Sequence, residues 1–152
     1  MDLDLIIFDL DGTLIDSRND IANSVNYMLT ELGLNRLDNE TIYSFVGSGV
    51  DRLVKLSLTE KHLDKFDTAL PLFRNYYSEH LLDFTALYPN VNEILDYFKP
   101  KKRAVVTNKN GDFSIHILKS LNIYNCFEKV ICGDTLEDKK PHPAQINAVI
   151  ND

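Results

Sequence analysis

Residues 3–10 (LDLIIFDL) form a nearly continuous apolar run with β-branched Ile6 and Ile7 at its centre. Such a run predicts a strand buried on both faces, the kind found inside a parallel sheet. It runs into DLDGTLIDS at 9–17, where Gly12 breaks the strand. Ile21, Val25, Met28, Leu29 and Leu32 then recur at helical spacing, which predicts a helix from near Ser17 to Gly33. Ser17 is placed to cap it, with Asp20 as a weaker stand-in for the Glu of a capping box, and Gly33 to close it.

From there to about residue 83 the pattern is helical, with no convincing strand. It predicts a short helix at 39–45, another at 49–58, and a longer one at 60–82 that Pro71 should kink or split. These segments carry their own apolar stripes, so residues 16–83 read as a small helical unit inserted after the first strand. The remainder, 1–15 and 84–152, forms the core. In its second part Asn90 caps a helix at 91–98, which Pro100 stops. RAVVTN at 103–108 is a second buried strand, and 111–121 a helix with Phe113, Ile117, Leu118 and Leu121 on one face. EKVIC at 128–132 is a third strand, followed by the loop GDTLEDKKPHP. Pro143 suits the first turn of a last helix whose apolar face is Ile146, Val149 and Ile150. Strands alternating with helices imply an α/β protein with a parallel sheet, and ligands in such sheets bind beyond the carboxyl ends of the strands.

Composition narrows the partners. The chain has 152 residues, 44% of them hydrophobic, which suits one globular domain or a small core with an inserted subdomain. With 16 Lys+Arg against 23 Asp+Glu the net charge is −7, which argues against nucleic acid or an anionic membrane as partner. No apolar run approaches the ~20 residues of a membrane span. The chain opens Met1-Asp2-Leu3-Asp4, acidic where a secretory signal is basic. Two cysteines, Cys126 and Cys132, are too few for a disulfide framework. The expectation is a soluble, cytoplasmic protein.

The strand ends carry the chemistry. After the first come Asp9 and Asp11; after the second, Thr107 and Asn108; after the third, a loop with Lys139 and Lys140. Two carboxylates two residues apart can bind a hard cation through oxygen, and they repel one another unless a cation or a shared proton intervenes. One can attack phosphorus as a nucleophile, and the other can exchange a proton with the leaving oxygen and with water. Gly12 lets the backbone approach a phosphate, whose oxygens the amides of this turn can receive. Thr107 and Asn108 offer neutral donors, and a lysine of the third loop offers positive charge for a phosphoryl group. Taken singly, each feature is commonly something plainer: a turn, a cap, a solvated lysine pair. Their shared position at three successive strand ends is what singles them out.

DLDGT at 9–13, TN at 107–108 and KPHP at 140–143 resemble, in order, the first three motifs of the haloacid-dehalogenase-like hydrolases. The helical insertion resembles the first-type cap of that superfamily. TNK at 107–109 and FVGSGVDRLV at 45–54 are most similar to its phosphoglycolate-phosphatase-like branch. The resemblance implies a Rossmann-like core with an α-helical cap, and a Mg²⁺-dependent phosphatase acting on a small phosphorylated metabolite through an aspartyl-phosphate. Asp9 would be the nucleophile and Asp11 the general acid/base. Mg²⁺ would be held by the Asp9 carboxylate and the Asp11 main-chain carbonyl. Gly12, Thr13, Thr107, Asn108 and Lys140 would bind the phosphoryl group, with Lys140 rather than Lys139 or Lys109 as the phosphate lysine. In the cap, Gly47 and Gly49 would form a loop facing the site, and Arg52 would meet a substrate carboxylate.

One motif has no match. The family's fourth, a Gly-Asp followed closely by another Asp, completes the Mg²⁺ site on a strand that lies beside the first. Gly133-Asp134 is no substitute, since it falls at the end of the third strand, before the lysine. The expectation is therefore a core incomplete at its C-terminal end, with residues 3–10 an open apolar edge prone to self-association, weak Mg²⁺ binding and little activity. A phosphomutase on the same cap and core is the second enzyme reading; a dehalogenase is disfavoured because Asp11 is present. An inactive binding or assembly module is the alternative from another class. His62, His80, His116 and His142 lack ligand-like spacing, and Phe73, Tyr76 and Tyr77 read as cap core rather than a substrate platform.

Overall fold

The structure, a computed structural model, describes residues 3–151; Met1 and Asp2 of the acidic opening, and Asp152, lie outside them. The order of elements is β1 (Leu5–Phe8), β2 (Ile15–Asp16), α1 (Arg18–Glu31), α2 (Asn39–Tyr43), α3 (Val50–Leu58), a 3-10 helix (Glu60–Lys65) and α4 (Phe66–His80). There follow β3 (Ala86–Leu87), α5 (Val91–Tyr97), β4 (Lys102–Val106), α6 (Gly111–Ser120), a short 3-10 turn (Tyr124–Cys126), β5 (Lys129–Ile131) and α7 (Ala144–Ile150). The chain divides into two units, one running to Asp16 and resuming at Ala86, the other Ser17–Thr85.

In the first unit, β4 lies between β1 and β5 and is parallel to both. Its Ala104, Val105 and Val106 are buried, as befits a central strand paired on both edges. Alternation sorts the side chains: Ala104, Val106 and Ile131 cluster with Val149 of α7, and Leu5 and Ile7 pack against them. Each fully buried Val or Ile here contributes about 1.5–3 kcal/mol. On the opposite face Phe8 meets Phe127 edge-on, ring centres 6.0 Å apart. The strand expected over 3–10 is shorter, and its residues are half-buried rather than buried on both faces. The reason is its place: among the described residues β1 pairs only with β4, so one edge of the strand is open. Where the chain leaves for the second unit and returns, β2 and β3 form an antiparallel pair, Ile15 opposite Leu87.

The second unit is helical. Phe73, Tyr77 and Ala69 of α4 and Ile21, Val25 and Met28 of α1 are its buried stripe, and α1 packs along α4. Tyr76 stacks between Tyr27 and His80, at 4.2 Å from each. Gly33 closes α1 as expected: at φ +69° it lets Leu34 N–H reach Leu29 O and its own N–H reach Thr30 O, a Schellman ending. The start of α1 departs from expectation. Ser17 makes no side-chain cap bond, and Asp20 belongs to no capping box. Its buried carboxylate instead accepts Phe84 N–H at 3.1 Å, Thr85 N–H at 2.8 Å and Thr85 Oγ1–H at 2.7 Å, tying together the two ends of the helical unit. Pro71 does not split α4 either; it lies on the exposed side of a helix that runs through it from Phe66 to His80. The discontinuity falls upstream, at the non-helical His62. Asn90 likewise leaves α5 without a side-chain cap, taking a left-handed conformation at φ +66°.

Candidate active site

The turn after β1 is built around the buried Leu10, whose carbonyl accepts the N–H groups of Thr13, Leu14 and Ile15 at 3.0–3.2 Å. Gly12, at φ +79°, donates its N–H to Ile15 O at 2.9 Å. The N–H groups of Gly12 and Thr13 are thus turned into the loop, and the freedom of Gly12 is used for the turn itself. The same turn presents Asp9 and Asp11. Asp9 Oδ1 accepts Leu10 N–H at 2.7 Å and lies 2.9 Å from Lys140 Nζ. Its second oxygen, Oδ2, has no hydrogen-bond partner among the described residues, and the side chain is 44% exposed.

Asp11 has a different partner. Lys109 Nζ stands 3.1 Å from its Oδ1 and 3.4 Å from its Oδ2, and both side chains are nearly buried, Lys109 at 5% exposure and Asp11 at 11%. Each of the two carboxylates, which would repel one another, thus faces an ammonium group of its own. Lys109 is the residue that sequence reasoning missed. From the sequence it stands only as a rival to Lys140 for phosphate, although its place directly after TN, at a strand end, is the available signal.

Thr107 and Asn108 follow β4 and are buried. Thr107 N–H donates to Ile131 O at 2.9 Å, and its Oγ1 accepts Lys109 N–H at 3.1 Å. The side-chain amide of Asn108 is engaged at both ends by one residue: its Oδ1 accepts Lys140 N–H at 2.9 Å and its Nδ2 donates to Lys140 O at 3.0 Å. The loop after β5 closes against this segment. Gly133 N–H reaches Lys109 O at 2.8 Å, and a Cβ on Gly133 would fall 2.1 Å from Asn108 O, so no larger residue fits. Lys140 Nζ donates to Val106 O at 2.8 Å as well as facing Asp9, whereas Lys139 is exposed. Asp134 accepts Gly111 N–H at 2.9 Å and so anchors the start of α6.

The remaining candidates belong to the helical unit. Gly47 and Gly49 take positive φ in the stretch leading into α3, and Arg52 is exposed on α3, all within the helical unit. Cys132 is buried, and burial pushes its thiol up, with a hydrogen bond from Ser114 opposing; Cys126 is half-buried. Among the described residues no three His, Cys, Asp or Glu side chains are placed to hold a metal ion. For Mg²⁺ this leaves the Asp9 carboxylate and a main-chain carbonyl, a thin donor set for an octahedral cation.

The sequence model of the haloacid dehalogenase-like hydrolase family matches residues 6–152. The chain belongs to this family. Among curated members, it is 39% identical over 145 residues to a phosphoglycolate phosphatase of Nitrosospira multiformis, covering 91% of this chain and 64% of the relative. It is 40% identical over 153 residues to the phosphoglycolate phosphatase of Colwellia psychrerythraea, covering 95% and 68%. This haloacid dehalogenase-like chain thus spans about two thirds of the length of the relatives it matches. A crystal structure from Haemophilus somnus, described as that of a predicted phosphoglycolate phosphatase, superposes with a TM-score of 0.91 at 33% identity, covering 98% of this chain and 71% of that one. No helix among the described residues is long and apolar enough to cross a membrane.

Proposed function

We propose that the protein is a phosphatase that hydrolyses a small phosphorylated metabolite of the phosphoglycolate kind, with Asp9 as nucleophile and Asp11 as general acid and base. The observation that carries this reading is the asymmetry of Asp9: one oxygen is held by Leu10 N–H and Lys140, while Oδ2 is left open on an exposed side chain. Asp9 Oδ2 attacks phosphorus, the bond from phosphorus to the ester oxygen breaks, and that oxygen takes a proton from Asp11. Water then attacks the phosphoryl group on Asp9 and gives its proton to Asp11, releasing phosphate and restoring the Asp9 carboxylate. Lys140, already beside Asp9, balances the charge of the phosphoryl oxygens. Thr107 contributes from the end of β4.

Mg²⁺ belongs to the same reading, with the Asp9 carboxylate and the Asp11 main-chain carbonyl as its donors from this chain and water or phosphate oxygens in the other positions. When bound, it would add positive charge at the phosphoryl oxygens. Gly47, Gly49 and Arg52 are retained as the residues that choose the substrate, and Arg52→Ala tests the last of them through KM for a carboxylated phosphate ester. The two-cysteine count supports a cytoplasmic location. Self-association along the open edge of β1 is part of the proposal, and light scattering on the isolated chain checks it.

The test is hydrolysis of phosphoglycolate with Mg²⁺ by the wild-type protein and by Asp9→Asn. Loss of turnover to background is expected, and retention of more than about a tenth of kcat would sink the assignment.

A further inference from the structure

We propose that Asn108 is a positioning residue for Lys140: its side-chain amide clamps the Lys140 main chain, and it acts on bound phosphate only through the ammonium so held. This rests on the reading above that Lys140 binds the phosphoryl group. The two residues are 32 positions apart, yet Asn108 meets both polar groups of the Lys140 main chain, at 2.9 and 3.0 Å, from a side chain that is 7% exposed. A side-chain amide paired in this way imitates one rung of a β-ladder. It extends the sheet's grip to a loop that has little other burial, since Asp138, Lys139, Pro141 and His142 are all exposed.

A lysine is a point charge on a long flexible stem, so where its ammonium rests depends on where its backbone is fixed. Here the backbone is fixed by Asn108, and the ammonium by Val106 O at 2.8 Å and Asp9 Oδ1 at 2.9 Å. Asn108 is itself pinned, because the Gly133 backbone closes against its carbonyl where no Cβ fits and Gly133 N–H bonds the next residue's carbonyl. The clamp thus passes the position of β4 to the charge beside the nucleophile, an arrangement made before phosphate arrives. It also revises the role of Asn108 expected from sequence, a donor of its own to the phosphoryl group.

Two measurements on the full chain test this. Amide hydrogen exchange reads the clamp directly. Lys140 N–H should be protected in the wild type, and Asn108→Ala or the similarly shaped Asn108→Leu should exchange at least about tenfold faster at that amide. Asn108→Asp, which keeps the acceptor oxygen, should restore the protection. Unchanged protection in both Ala and Leu variants would overturn the clamp. Titration with inorganic phosphate in a double-mutant cycle reads its consequence. Asn108→Ala should weaken phosphate about tenfold when Lys140 is present and less than about twofold in a Lys140→Ala background. Equal losses in both backgrounds would mean direct contact and refute the proposal. If Lys140→Ala alone leaves phosphate affinity unchanged, the functional reading of Lys140 fails and takes the phosphate half of this proposal with it. The exchange measurement still judges the clamp by itself.

Discussion

Asp20 in the helical unit and Asp9 in the sheet unit are both carboxylates set at the start of a turn or helix, and they are satisfied in opposite ways. Asp20 is 1% exposed, and fixed groups of Phe84 and Thr85 donate to both its oxygens. Asp9 has one oxygen held by an amide and an ammonium and the other open. Asp11 is the intermediate case, nearly buried and facing the terminal ammonium of Lys109. A carboxylate enclosed by peptide N–H groups cannot change partners without unfolding its surroundings, so it serves structure. One held by a lysine end can exchange that partner for a substrate oxygen at small cost to the fold. The number of fixed donors, more than burial alone, separates the two uses.

Asp11→Asn should break the comparison most visibly in rate. General acid–base catalysis is worth ~10²–10⁴-fold, and the loss should be larger with an alkyl phosphate than with an activated nitrophenyl ester. Equal losses on both would count against the role. Asp20→Ala should act on stability instead, leaving buried N–H groups of Phe84 and Thr85 without an acceptor. A loss of about 3 kcal/mol is expected in denaturant titration of the helical unit, and a loss under about 0.5 kcal/mol would remove Asp20 from its structural place. The smallest effects separate the neighbouring lysines. Lys140→Ala should weaken phosphate or vanadate by about tenfold, as for loss of a charge-assisted contact, while exposed Lys139→Ala stays within about twofold. A larger effect at Lys139 would put the loop one residue out of register.

What could be read from the sequence follows the range of the interaction. The apolar runs around Ile6, Val105 and Val130 announced parallel strands because burial is written locally, and Asp9, Asp11 and the Lys139–Lys140 loop are legible from the ends of those strands. Asp20 was misread because spacing suggests a cap three residues away, whereas its real donors lie 64 and 65 residues further on. The partners of Asn108 and Lys109 were hidden for the same reason. A donor aimed at phosphate and a donor aimed at Lys140 look alike in a string, and an ion pair spanning 98 positions shows locally only that Lys109 stands at a strand end, not which carboxylate it meets. The open edge of β1 was legible, but its extent was not, because an apolar run does not mark where pairing with a neighbour begins and ends.

The most direct test is where a phosphoryl group attaches. The protein would be incubated with a small acyl phosphate such as acetyl phosphate, quenched in acid, digested and examined by mass spectrometry, alongside Asp9→Asn and Asp20→Asn. A single phosphoryl group on the peptide carrying Asp9, absent in Asp9→Asn and retained in Asp20→Asn, is the predicted result. Phosphorylation that persists in Asp9→Asn, or that maps to another carboxylate, would contradict the account.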